Sequence, residues 1–157
     1  MSDRNLQKFF ILIFTLSFFS LTAALYVEYI LDFKPCILCI YQRIPYAIAI
    51  LISLTAFFNG NKNLLLLILA LTFVTSVLLS GYHVSIEKGF IKPIFSCTGE
   101  NIKSIEKGEI LKSLNNFQPD CKDVNFSLFG TSLATLNFII SFVLTAIIVY
   151  IYKNAKK

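Results

Sequence analysis

Four stretches of this chain carry almost no charge, and each is about as long as a bilayer is thick. Phe9 to Val27, Leu64 to Tyr82 and Val124 to Tyr152 contain no charged side chain, the last being most apolar from Leu133 onward. Ile44 to Phe58 is uncharged too, and between Cys36 and Ile44 the one charged residue is Arg43. A helix needs ~20 apolar residues to cross a hydrocarbon core of ~30 Å. Three runs suffice alone, and the second suffices if it begins near Cys39. Composition agrees: 56% of residues are hydrophobic and 15% charged, against a soluble balance of about half apolar. The runs predict an all-α membrane protein, a four-transmembrane-helix bundle in one domain over 1–157. Its spans fall at about 9–31, 40–58, 64–82 and 130–152. The first run is longer and richer in Phe than the ~7–15-residue core of a cleaved signal peptide, so it is read as a retained span.

Four spans place both termini on one side and the segments at about 32–39 and 83–129 on the other. Lys and Arg close to span ends set orientation, and long loops are translocated largely regardless of charge. Arg4, Lys8, Lys62, Lys153, Lys156 and Lys157 lie in short segments on the terminal side. The basic residues of the long loop are matched by acids such as Glu87, Glu100, Glu106, Glu109, Asp120 and Asp123. The expectation is therefore cytoplasmic termini and an outward-facing long loop. The net charge of +5 reads as anchoring to anionic headgroups, and gives no sign of a nucleic-acid partner. Asn59-Gly60-Asn61 suits a tight cytoplasmic turn. Within the long loop, Ile102, Ile105, Ile110, Leu111 and Leu114 are spaced as one face of a short helix, bracketed by Pro93 and Pro119.

All four cysteines fall on the outward side by this count. Cys36 and Cys39 form a Cys-x-x-Cys at the start of a span; Cys97 and Cys121 lie in the long polar segment. Covalent haem attachment needs His after the second cysteine, and Ile40 stands there. A structural zinc site wants two close pairs or added histidines; the single His is His83, so no metal is expected. A Cys97–Cys121 bridge would contribute ~3.5 kcal/mol in the chain-entropy model. A Cys36–Cys39 bridge closes too short a loop to gain much, whereas Cys-x-x-Cys spacing lowers a thiol pKa and makes the bond exchangeable. Redox chemistry is the better reading of the proximal pair. A membrane protein with purely structural disulfides is the alternative, and a metal carrier a further one. If the chain is helical from Pro35, then Cys36, Cys39 and Arg43 share one face, although Pro45 can kink or restart that helix. A cation at the membrane edge is costly unless paired or snorkelling; Arg43 there would stabilise a Cys39 thiolate or an electron acceptor that becomes anionic.

The run Pro35-Cys36-Ile37-Leu38-Cys39-Ile40-Tyr41-Gln42-Arg43 resembles the DsbB disulfide-bond-formation family. So do, in the same order, Gly81-Tyr82-His83, Ser96-Cys97-Thr98-Gly99 and Leu128-Phe129-Gly130. Phe126 departs from the pattern, since many relatives carry Trp there. The resemblance implies a bacterial inner-membrane thiol:quinone oxidoreductase that reoxidises a periplasmic DsbA-like thioredoxin-fold oxidase. In that scheme Cys97 takes the attack of the partner's reduced cysteine, and Cys121 pairs with it and exchanges with Cys36. Cys39 passes electrons to a membrane quinone, ubiquinone in most aerobic members and menaquinone otherwise. Arg43 supports the quinone and His83 lies near it. Exchange needs a disulfide open to in-line attack, which a loop offers; a lipid-soluble quinone needs sulfurs at the bilayer boundary. A donor at ~−120 mV requires a strong oxidant, and an acceptor ~60 mV more positive gives ~2.8 kcal/mol per two electrons.

Overall fold

The computed structural model describes residues 3–58, 61–91, 121, 127–128 and 131–155. It is a helical bundle. Helix α1 runs Asp3–Tyr29, α2 Ile37–Tyr41, α3 Ile44–Phe57 and α4 Lys62–Glu87. A two-residue antiparallel ladder follows, β1 Ser127–Leu128 with β2 Thr131–Ser132, and α5 spans Leu133–Ala155. Four segments are long and apolar enough to cross a membrane: Arg4–Tyr29, Ile37–Phe57, Lys62–Glu87 and Leu133–Asn154. The four-span expectation holds. The Asn59-Gly60 turn, the amphipathic segment at 102–114, its flanking prolines and Cys97 lie outside the described residues.

The second span is not one continuous helix. Pro45 has no N–H to return to the preceding turn; the Gln42 N–H still bonds Leu38 O at 3.0 Å, and α3 starts anew with Pro45 in its first turn. The Arg43 N–H bonds Ile40 O at 3.1 Å, a tighter pairing than α-helical, and the Ala47 N–H bonds Arg43 O at 3.1 Å. The two pieces stay stacked as one span while Gln42 and Arg43 are freed to point differently.

The other ends near this point are shaped by specific caps. After α1, Asp32 adopts a left-handed φ of 56°, a conformation that Asp tolerates better than most residues, and Phe33 N–H returns to Val27 O at 3.2 Å. This reversal carries the chain back toward the bundle at Pro35. Helix α4 continues to Glu87, past the expected end at 82, because its stop signal lies further on. Gly89 has φ 74°, its N–H bonds Ile86 O at 2.9 Å, and Phe90 N–H bonds Ser85 O at 2.9 Å, the paired bonds of a Schellman cap. His83 is therefore a helical residue and not a loop residue. Ser132 caps α5 by accepting the Thr135 N–H at 3.1 Å, and its hydroxyl donates to Glu87 at 2.5 Å, tying the start of α5 to the end of α4.

The main core sits toward the terminal end of the bundle. Phe10 and Ile13 of α1, Tyr46 and Ala49 of α3, Leu66, Leu69 and Phe73 of α4, and Leu144 and Ile148 of α5 are buried together. Helix α4 lies along α5, and α3 packs on both α1 and α4. Gly81 makes the α4–α5 approach close, since a Cβ there would stand 3.2 Å from the Phe138 ring. Outward faces carry large apolar side chains such as Phe19, Leu78, Phe142 and Tyr150, all well exposed, as lipid requires and water would penalise. At the opposite end a second, smaller cluster holds Cys36, Leu38, Ile86 and Cys121.

Candidate active site

The site is built where α2 begins. Cys36 is the N-cap residue of α2, with extended φ/ψ of −69°/164°, and its sulfur accepts the Cys39 N–H at 3.3 Å. Capping turns the Cys36 side chain inward over the first turn, and the i, i+3 spacing brings Cys39 beside it. The two sulfurs are 2.8 Å apart, within reach of one bond. Cys36 is buried and Cys39 half-buried. The Cys36 thiol is pushed up to about 12, first by its hydrogen bond with Cys39 and then by burial, while His83 pulls it back. At neutral pH Cys36 is therefore a protonated thiol.

His83, 3% exposed, comes from the last turns of α4 and places Nε2 3.6 Å from Cys36 Sγ. Its other nitrogen, Nδ1, lies 2.8 Å from Gln42 Nε2. Asn137 of α5 donates to Gln42 Oε1 at 2.8 Å, and Tyr46 of α3 donates to Asn137 Oδ1 at 2.5 Å. Tyr46 and Ser76 both meet Ser141, at 3.3 and 2.9 Å. A polar chain thus runs through the bundle interior from α4 and α5 to the dithiol. Glu87 stands 3.7 Å from His83 Nε2. Each side chain of this hydrogen-bonded series from Tyr46 to His83 has a partner, which the apolar surroundings demand.

Cys121, 1% exposed, is buried in the same cluster as Cys36, and a hydrogen bond joins its main chain to the His83 ring. The fold thus gathers three of the four cysteines, with His83. Both sulfurs of the proximal pair and a His83 nitrogen lie within 4.8 Å of one another; when reduced, this is a soft donor set that a thiophilic cation could occupy.

Arg43 is the N-cap residue of α3. Freed at the α2–α3 break, its guanidinium forms an ion pair with Glu28 of α1, both partly shielded from solvent. This satisfies the requirement that a cation at the membrane edge be paired. Glu28, Gln42, Tyr46, Glu87 and Asn137 were missed by sequence reasoning. Glu28 had a usable signal: an acid within an apolar span, at the same end as a membrane-edge arginine. Gln42 and Asn137 had only the weaker signal of amides inside spans.

Fold and site together define a four-span membrane protein with a close Cys-x-x-Cys pair at one end of its bundle. The family model for the disulfide bond formation protein DsbB matches residues 6–151. The chain is 33% identical to an uncharacterized protein of Rickettsia prowazekii (strain Madrid E) over 138 residues, covering 83% of this chain and 78% of that one. It is 37% identical to the SPbeta prophage-derived disulfide bond formation protein B of Bacillus subtilis (strain 168) over 106 residues, 64% of this chain and 68% of that one. The chain belongs to the DsbB family and is a disulfide-bond-formation membrane protein.

Proposed function

We propose that the protein is a thiol:quinone oxidoreductase of a bacterial inner membrane, with its dithiol end facing outward and both termini in the cytoplasm. It reoxidises a periplasmic DsbA-like thioredoxin-fold dithiol through two cysteine pairs. The observation that carries this is the burial of Cys121 in one cluster with Cys36, beside a Cys39 that is only half-buried and is followed by the exposed Ile40 and Ile44. The distal Cys121 is thereby gathered beside the proximal pair, whose Cys39 is packed against the same cluster.

The steps balance as follows. A partner thiolate attacks Cys97 of a Cys97–Cys121 disulfide, and the partner's second thiol then displaces Cys97. The partner leaves as a disulfide, with Cys97 and Cys121 both reduced. Cys121 next attacks Cys36 of the Cys36–Cys39 disulfide: the Cys36–Cys121 bond forms, the Cys36–Cys39 bond breaks, and the electron pair departs on Cys39. Cys97 then attacks Cys121, restoring their bond. Cys36 leaves with its electron pair and takes up a proton, in keeping with its raised pKa. Two electrons now rest on the proximal dithiol. A quinone bound beside Cys39 supplies an acceptor for two electrons and two protons, ubiquinone in the first instance and menaquinone as the alternative. The donor set fits such a group: a half-buried sulfur at a span start, the Arg43 guanidinium four residues on, and His83 on the same dithiol.

The test is anaerobic mixing of the purified protein with quinone and a reduced thioredoxin-fold dithiol oxidase, following quinone absorbance. Catalytic quinone loss that stops in both Cys36→Ser and Cys39→Ser is expected. Undiminished turnover by both variants would refute the proposal.

A further inference from the structure

The buried amides around His83 form a chain with a direction. Tyr46 Oη donates to Asn137 Oδ1, Asn137 Nδ2 donates to Gln42 Oε1, and this leaves Gln42 Nε2 as the atom facing His83 Nδ1 at 2.8 Å. An amide nitrogen only donates, so Nδ1 must receive that bond through its lone pair and carries no hydrogen. The other ring nitrogen, Nε2, faces groups that accept: Cys36 Sγ at 3.6 Å and Glu87 Oε1 at 3.7 Å.

We propose that Gln42 and Asn137 are positioning residues that lock His83 as the Nε2–H tautomer, so that a fixed N–H donor is aimed at the Cys36 sulfur whenever that sulfur carries negative charge during exchange. The consequence for exchange rests on the function proposed above; the tautomer itself does not.

Reversing every bond gives a second self-consistent chain, with Gln42 Oε1 accepting from Nδ1–H. That arrangement turns the Nε2 lone pair toward the Glu87 carboxylate, 3.7 Å away, with no hydrogen between them, a repulsive contact in a buried site. Glu87 thereby breaks the tie, and the Ser132 hydroxyl, donating to its other oxygen, holds it in place. A doubly protonated ring would set Nδ1–H against the Gln42 amide unless that amide turned over, which would break its bond from Asn137. The charged and titratable groups facing the ring are Glu87 from α4, the thiols of Cys36 and Cys39 from the start of α2, and Cys121. The nearest cation in sequence to Gln42, Arg43, is engaged by Glu28.

The chain contains a single histidine, so ring-nitrogen NMR of isotope-labelled histidine in the reduced, micelle-bound protein needs no assignment. The expected spectrum shows hydrogen on Nε2 alone at neutral pH. Gln42→Leu should give mixed tautomers or a charged ring. It should also slow exchange of the Cys36–Cys39 disulfide with a small dithiol about tenfold, equivalent to ~1.4 kcal/mol. Gln42→Glu, which replaces the donor with an acceptor of the same size, should move hydrogen onto Nδ1. A wild-type ring with hydrogen on Nδ1, or charged at neutral pH, overturns the proposal even if a variant fails to fold. An Nε2–H ring in a protein that reduces no quinone leaves the tautomer standing and removes the function.

Discussion

Cys121 and Cys36 are buried in one cluster, at 1% and 6% exposure, although they belong to different cysteine pairs in the sequence. This brings a distal cysteine into one cluster with the Cys-x-x-Cys, of which Cys36 is buried and Cys39 half-buried and packed against the same cluster.

The raised pKa of Cys36 predicts its reactivity. The group ionises at about 12 in place of 9.0, so alkylation of Cys36 in the reduced protein should be slow at pH 7–8 and rise only in strongly alkaline solution. The sign for stability follows. Below about 9 the thiol is protonated folded and unfolded, and the contribution is fully present. Between about 9 and 12 only the unfolded state loses its proton, and stability falls as pH rises. Cys39→Ala removes the largest cause, so the alkylation midpoint should drop below that of the wild type. An unchanged midpoint would show that burial alone sets it.

The Glu28–Arg43 pair makes a second prediction. Removing one partner leaves a charge with no counterion at the membrane edge, so Glu28→Gln or Arg43→Gln alone should destabilise by ~1–3 kcal/mol. The double variant should lose less than the two singles combined. Thermal unfolding in micelles measures this; strictly additive losses would mean that the two side chains do not depend on each other.

Gly81 gives a packing test. A Cβ at that position meets the Phe138 ring at 3.2 Å, so Gly81→Leu should push α5 from α4 and cost ~1–3 kcal/mol. Pairing it with Phe138→Ala should recover part of the loss, again read by thermal unfolding.

Orientation is tested by labelling. In a cysteine-free background, a cysteine placed at Phe90, well exposed just beyond α4, should react with a membrane-impermeant thiol reagent added to intact cells, whereas a cysteine placed at Asn61 should not. Labelling at Asn61 alone would invert the topology.

Much of the fold was legible because lipid imposes a length and a polarity that Phe9–Val27, Leu64–Tyr82 and Leu133–Tyr152 state outright. The dithiol and His83 were legible because their chemistry is rare in an apolar chain. The interior network was not. Each span is apolar nearly all round, so periodicity does not say which face meets a neighbour, and Asn137 or Tyr46 could as well have faced headgroups. The end of α4 was placed too early because the apolar run was closed at Tyr82, before His83, whereas the stop signal, Gly89 after Lys88, lies about two turns further on. Arg43 was legible as a membrane-edge cation, but its partner Glu28 was not, because that acid lies on another span and only the fold brings the two together.

The central claim is that Cys121 exchanges directly with Cys36. A Cys39→Ser, Cys97→Ser variant retains only these two sulfurs, and mild oxidation followed by proteolysis and mass spectrometry reads their state. The account predicts an intramolecular Cys36–Cys121 disulfide formed in high yield at low protein concentration; two free, separately alkylated thiols would contradict it.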